Sequence, residues 1–192
     1  MQLNTIGLIP QPHGTGGFMD PGKIVEGFGL SEGMKVADFG SGAGYFTILM
    51  AQKVGDSGVV TAVDILNSSL ETLRAKAKMS GLSNIQTVRS NLEVLGSSGL
   101  QNDSQDVALL ANILFQNSNK QAIIQEAKRV TKPGGSLIVI DWRKGTGGFG
   151  PPDGLRTDEE EMQRLLLASD GFKFSGPIDA GIFHYGMMFK KI

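Results

Sequence analysis

Val36-Ala37-Asp38-Phe39-Gly40-Ser41-Gly42-Ala43-Gly44-Tyr45 decides how this chain folds. A short apolar run breaks into alternating glycines. Phe46, Leu49, Met50 and Val54 then recur at spacings of three and four, the period of one apolar helix face. A buried strand therefore turns sharply into a helix, and the glycines let backbone approach a ligand closely and tolerate unusual dihedrals. Glycine supplies 27 of the 192 residues, about twice its usual share.

The same alternation continues outward. Short apolar, β-branched runs at 35–39, 59–65, 85–90, 106–111 and 136–141 read as five strands, and helical period between them falls on Leu70, Leu73 and Ala77, then on Ile123, Ala127 and Val130. Strand, helix, strand in succession is the pattern of crossover units feeding a parallel sheet. Capping boxes at Ser68 with Glu71, Ser118 with Gln121 and Thr157 with Glu160 mark expected helix starts. Gly55, Gly81, Pro133-Gly134 and Gly171 mark expected ends. Asp20 and Pro21 sign a short leading helix over 20–27. The acids Asp158 to Glu161 suit the dipole at the start of the last helix. Residues 172–175 and 182–190 carry strand composition with no helix between them, which predicts an antiparallel hairpin at the sheet edge and seven strands in all.

A chain of 192 residues with 40% hydrophobic content fits a single domain over 1–192. Residues 6–19 and 144–156 fit no element and are glycine-rich; the segment 1–19 reads as a flexible terminus and 144–156 as a Gly/Pro-rich lid over substrate. Eighteen basic against 19 acidic residues leave a net charge of −1, which argues against nucleic acid and anionic membranes as partners. The absence of cysteine excludes disulfides, thiolate metal sites and thiol catalysis, and suits the cytoplasm. No window holds the ~18 apolar residues a membrane helix needs, the start has no secretory signal pattern, and no metal site is expected.

In an open parallel sheet, ligands bind beyond the carboxyl ends of the strands. Asp38, Asp64, Asn91, Asn112 and Asp141 stand there, one per strand. Each alone suits a turn or cap; five in succession point to a polar ligand lying across the tips. A dinucleotide fingerprint would need Gly or Ala at Tyr45, and Asp38 sets a carboxylate where a pyrophosphate would lie. A lysine-bearing phosphate loop is missing as well. A nucleoside with a cationic, phosphate-free arm fits both carboxylates: Asp64 accepting from two ribose hydroxyls, Asp38 helping to hold an ammonium. S-adenosylmethionine answers that description. A carboxylate at Asp38 bonded only by the turn's own amides is the competing reading.

Asp38 to Gly44, D-x-G-x-G-x-G, resembles the first motif of class I S-adenosylmethionine-dependent methyltransferases, and the likeness runs from about Phe18 to Ile192. Asp64, Asn91-Leu92, Asn112 and Pro133-Gly134-Gly135 match further landmarks in order. The resemblance implies an α/β, Rossmann-like sheet in strand order 3-2-1-4-5-7-6, strand 7 antiparallel, with helices on both faces. It implies S-adenosylmethionine held by Asp38, Gly40, Ser41 and Gly42 at the methionine part, Asp64 and Ile65 at the ribose and adenine edge, and Asn91 and Leu92 at the adenine. Asn112 falls near the methionine arm, and Phe18 closes over the cofactor. Within the superfamily the chain is most similar to small-molecule, quinone-type methyltransferases.

An activated sulfonium methyl needs alignment and a dry pocket, with a base only when the acceptor must lose a proton. His184 and Asp141 are the candidate bases, with Tyr185 behind them. Without cysteine, cytosine carbon-5 and arsenite chemistry have no nucleophile or ligand. Asn112-Ile113-Leu114-Phe115 lacks the paired prolines of amino-group methyltransferases, which counts against amine acceptors. Phe149, Pro151, Pro152 and Arg156 in the lid suit a flat or apolar substrate, although Arg156 also reads as a surface residue. A nicotinamide-dependent oxidoreductase, a binding subunit without catalysis and, as a minor reading, aminopropyl transfer stay open as alternatives.

Overall fold

A computed structural model describes residues 19–192. The expectations for Phe18 and the residues before it lie outside that range. Among the described residues the order is α1 (Pro21–Glu26), β1 (Lys35–Phe39), α2 (Tyr45–Val54), β2 (Val59–Asp64), α3 (Asn67–Met79), β3 (Ile85–Arg89), β4 (Gln105–Ala111), α4 (Lys120–Val130), β5 (Thr131–Trp142), α5 (Glu159–Leu167), β6 (Phe172–Ile178) and β7 (His184–Lys191). Single-turn helices at Leu114–Gln116 and Asp153–Leu155 lie in the connections. The strands form one sheet in the order β3-β2-β1-β4-β5-β7-β6, parallel from β3 to β5, with β7 antiparallel to both its neighbours. The expected architecture holds.

Strand alternation divides the core into two layers. Ala37, Phe39, Leu137 and Val139 pack with Ile123, Ala127, Met162 and Leu166 of α4 and α5. Val36, Ile138 and Ile140 pack with Ile24 and Val25 of α1 and Met50, Ala51 and Val54 of α2. The same alternation sorts the strand ends. Asp38, Asp64, Trp142 and His184 fall on the α1/α2 side. Asp141 and Tyr185, paired across β5 and β7 next to the Trp142–His184 pair, fall on the α4/α5 side.

Element ends differ from the sequence reading in instructive ways. Asp20 caps α1 as expected, accepting from the amides of Gly22 and Lys23. The three capping boxes are each displaced. Asp158 rather than Thr157 caps α5, Asn119 rather than Ser118 caps α4, and α3 begins at Asn67, whose side-chain amide reaches Glu71 at 2.7 Å. Asp and Asn are at least as good caps as Ser and outrank Thr, so the neighbour takes the cap at α4 and α5, whereas α3 has Leu66 at the cap position and no side-chain cap. Pro133-Gly134 ends no helix: α4 stops at Val130, and the chain pairs with β4 from Thr131 on, bulging before Val107 meets Ser136. No helix among the described residues is long and apolar enough to cross a membrane.

Candidate active site

The turn after β1 is tied to β2 by the amides of Gly40 and Ser41, which both donate to the Val63 carbonyl at 2.8 and 3.1 Å. Its glycines serve different ends. A Cβ at Gly44 would lie 2.2 Å from Leu73 Cδ1, so that glycine lets α2 seat against α3. Gly42, at φ +52°, has nothing within 4 Å of the equivalent point and faces open space.

Two carboxylates flank this turn. Asp38 is 2% exposed, and Thr47 of α2 donates its hydroxyl to Oδ2 at 2.5 Å. Burial pushes the Asp38 carboxyl up to about 7; the Thr47 bond works against that rise and the negative charge of Asp64 adds to it. Asp64 accepts from the Gly42 amide at 2.8 Å and the Leu66 amide at 2.9 Å, which fixes both oxygens beside the open face of Gly42. Ile65 next to it is 54% exposed, an apolar surface at the tip of β2. Leu92 is buried beyond β3, whereas Asn91 is turned to its own loop, accepting from the Glu93 amide at 3.0 Å. Asn112 takes a left-handed conformation at φ 54° after β4, and its side-chain oxygen is buried without a partner. The hydroxyls of Ser41 and Ser90, at the tips of β1 and β3, are likewise buried and unpaired.

The two candidate bases separate. Asp141 is committed to backbone: its oxygens accept from the Phe115 amide at 3.0 Å and the Trp142 amide at 2.8 Å, pinning the turn after β4 to the end of β5. Burial raises it to about 6, against the pull of those two amides. Tyr185 across from it has an unpartnered hydroxyl, and burial pushes its phenol far upward. His184, on the other side of the sheet, is 2% exposed, and both ring nitrogens lack partners. Its ring lies 4.0 Å from that of Trp142. Burial, and then the charge of Arg156, lower its pKa to about 4, so the imidazole is neutral.

Arg156 is no surface residue. At 5% exposure its guanidinium donates to the carbonyls of Pro151, Arg143 and Phe149 and to the Thr146 hydroxyl, stitching residues 144–156 into a closed loop. A hollow of about 570 Å³ lined by Gly145, Gly147, Gly150, Pro151, Asp153 and Arg156 opens within it.

Thr47, Ser90 and Trp142 were not among the expected site residues. Thr47 had a readable signal, a hydroxyl on the otherwise apolar stripe of Phe46, Met50 and Val54. No His, Cys, Asp or Glu group suited to a metal occurs among the described residues.

These features match known proteins. The methyltransferase domain family matches residues 30–167. A ubiquinone/menaquinone biosynthesis C-methyltransferase UbiE from Shewanella pealeana is 36% identical over 120 residues, covering 62% of this chain and 47% of the relative. The chain thus spans about half the length of the curated relatives it matches. Among solved structures, an S-adenosylmethionine-dependent methyltransferase from Aquifex aeolicus superposes with a TM-score of 0.82 at 28% identity over 91% of each chain. A type 11 methyltransferase from Sulfolobus solfataricus gives 0.67 at 26% identity, over 81% of this chain and 82% of the other. Strand order, glycine turn, paired carboxylates and family match agree: the chain belongs to the methyltransferase domain family and has the fold of the class I S-adenosylmethionine-dependent enzymes.

Proposed function

We propose that this chain carries a methyl group from S-adenosylmethionine to a small-molecule acceptor, in the cytoplasm, by in-line displacement. When bound, the cofactor supplies a methyl on a positively charged sulfur; alignment and exclusion of water are the protein's part.

The residues suit such a group. Unpaired buried oxygens at Ser41 and Asn112 and the raised carboxyl of Asp38 form a site short of positive charge and hydrogen-bond donors, which an ammonium and a sulfonium supply. Asp64, held by two amides, offers its remaining lone pairs to a pair of ribose hydroxyls. Gly42 gives close approach, Gly40 seats the turn against Ile113 and contributes through its backbone, and Ile65 and Leu92 flank a base ring. The Asn91 side-chain oxygen is taken by the Glu93 amide, while the Ser90 hydroxyl is free to meet the base edge. The assignment of Phe18 as a cover is part of this reading. The observation that carries it is the grouping of Asp38, Asp64 and the unpaired Ser41 and Asn112 oxygens around one open glycine turn. A dinucleotide would bring its pyrophosphate against both carboxylates.

On the acceptor side, Asp141 holds the loop after β4 and His184 faces the substrate, with residues 144–156 as the lid. The quinone-biosynthesis names of the curated relatives support a flat organic acceptor. Calorimetric titration with S-adenosylmethionine and, separately, with a nicotinamide dinucleotide tests the reading. Saturable binding of the first alone is expected; binding of the second with indifference to the first overturns it.

A further inference from the structure

Among the described residues, Lys120, Lys144 and Arg164 belong to no ion pair, yet all three line one hollow of about 510 Å³. Lys120 opens α4, Arg164 lies on α5, and Lys144 stands just past the end of β5. Glu161 and Leu165 share the Arg164 face of α5 by the helical period, and Leu155 adds a wall from loop 144–156. Gln121 of α4 donates to the Ser169 hydroxyl beyond α5 at 2.8 Å, which ties the two helices together beside the space.

The charge in this hollow is uncompensated. Glu161 is the one acid on its wall, against three cations. Of the neighbouring acids, Glu159 pairs with Arg143, and Asp158 caps its own helix. Burial raises the Asp141 carboxyl, and the Trp142 and Phe115 amides, then the charge of Lys120, oppose the rise; no ion pair closes between Asp141 and Lys120. Lys120 is also misplaced for its helix. It is the first residue of α4, whose first turn holds no acid, and a cation there opposes the helix dipole. Such a conflict of local preference with placement is expected where a site needs the charge. The Lys120 ammonium gives one hydrogen to the Asn117 carbonyl at 3.0 Å and keeps the others. Arg156, also on the wall, spends four of its five N–H groups on Pro151, Arg143, Thr146 and Phe149.

We infer that this hollow binds a phosphate ester of a small organic molecule. A phosphate monoester carries a charge of about −1.5 to −2 near neutrality and three acceptor oxygens, which answers the surplus of cations better than a single carboxylate does. A space of about 510 Å³ falls in the range of about 300 to 1,000 Å³ that holds small organic ligands, and Leu155 and Leu165 give the organic part an apolar wall. The hollow lies on the α4/α5 side of the sheet, away from the face that carries Asp38 and Asp64, and it does not depend on the methyl-donor reading. Arg156 also lines the hollow inside loop 144–156, so an ester bound here adds a second tie to that loop.

The test titrates the full chain with phenyl phosphate, followed by calorimetry and by the fluorescence of Trp142. This is the one tryptophan of the chain, and the Arg156 guanidinium lies 5.5 Å from its ring. Saturable one-to-one binding with a change in emission is expected, weakening as salt rises from about 0.05 to about 0.5 M. Phenyl sulfate, with a single charge, and inorganic phosphate, with no organic part, are each expected to bind at least about five-fold more weakly. Arg164→Ala is expected to weaken phenyl phosphate about five-fold and Glu161→Gln to tighten it about three-fold, with melting curve and S-adenosylmethionine affinity unchanged in both. Vesicles of phosphatidic acid, which present the same group on a lipid, are expected not to bind. Absence of saturable binding, equal binding of phenyl sulfate, or an unmoved affinity in either variant overturns the site. Inorganic phosphate binding as tightly as the ester, or capture by the vesicles in place of the ester, overturns the ligand class.

Discussion

With Asp38 in its proposed place beside the cofactor, affinity is expected to depend on pH in a window set by the burial of that carboxyl. Its ordinary pKa of 3.8 is raised to about 7, so near neutrality the free protein holds this carboxyl protonated about half the time. A rise of about three units corresponds to about 4 kcal/mol of unfavourable charge that a cationic ligand can offset. Binding a sulfonium and an ammonium favours the anion, so the carboxyl must shed its proton for the ligand to bind tightly. Affinity is then reduced by the protonated fraction, which makes it about ten-fold weaker at about pH 6 than at about pH 8. The sign is opposite for the free protein: with its folded pKa above the unfolded value, Asp38 favours folding when protonated, and that contribution is lost as pH rises from about 4 through about 7. Titration calorimetry at several pH values, in buffers of differing ionisation heat, measures both the affinity and the proton released. Affinity that stays flat between those two pH values, with no proton released near neutrality, refutes the argument, as does an Asp38→Asn variant that keeps the full dependence.

Asp64→Asn retains one acceptor for the Gly42 and Leu66 amides but loses the charge; we expect S-adenosylmethionine to bind about 1.5 to 3 kcal/mol more weakly in calorimetry, with the melting curve little changed. Gly42→Ala places a methyl in open space at φ +52°, a strain of about 1 to 2 kcal/mol, and is expected to lose cofactor affinity while staying folded. Gly44→Ala, driven into Leu73, is expected to lose stability instead, and thermal melting of the two variants separates the effects. Glu126 of α4 is fully buried, pairs with Arg129 at 2.7 Å and accepts from the Gly96 amide; burial alone would raise its carboxyl, but the bonds from Arg129, Ser98 and Gly96 outweigh this and hold it at about 2. Glu126→Ala leaves the Gly96 amide and the Ser98 hydroxyl without their acceptor, while Arg129 keeps the Leu100 carbonyl and Asn102; it is expected to cost about 1 to 3 kcal/mol, read as a fall in melting temperature of about 5 °C.

The proposed donor half of the site has local signals. A strand, a glycine turn and a helix lie within residues 36–54, and Asp64 follows one crossover later, so the side of the sheet that binds ligand could be read from neighbours in sequence. The proposed acceptor half has none, because its geometry is made by register. Which of Asp141 and His184 shares the face of Asp38 and Asp64 depends on which residues of β5 and β7 pair, and a shift of one would exchange them. Arg156 was left between lid and surface for a related reason: its partners are carbonyl oxygens of its own loop and of Arg143, and a backbone acceptor leaves no mark in the residue pattern. The displaced helix caps show the ordinary limit of hydroxyl and amide signals that stand side by side.

Stitching by Arg156 gives the proposed lid an order held by backbone carbonyls, which do not titrate. Asp38, proposed to lie beneath the cofactor, behaves in the reverse manner. In that assignment one end of the cleft is a proton-responsive clasp and the other an indifferent latch, and a fall in pH is expected to release the methyl donor first while leaving the roof over the second substrate in place.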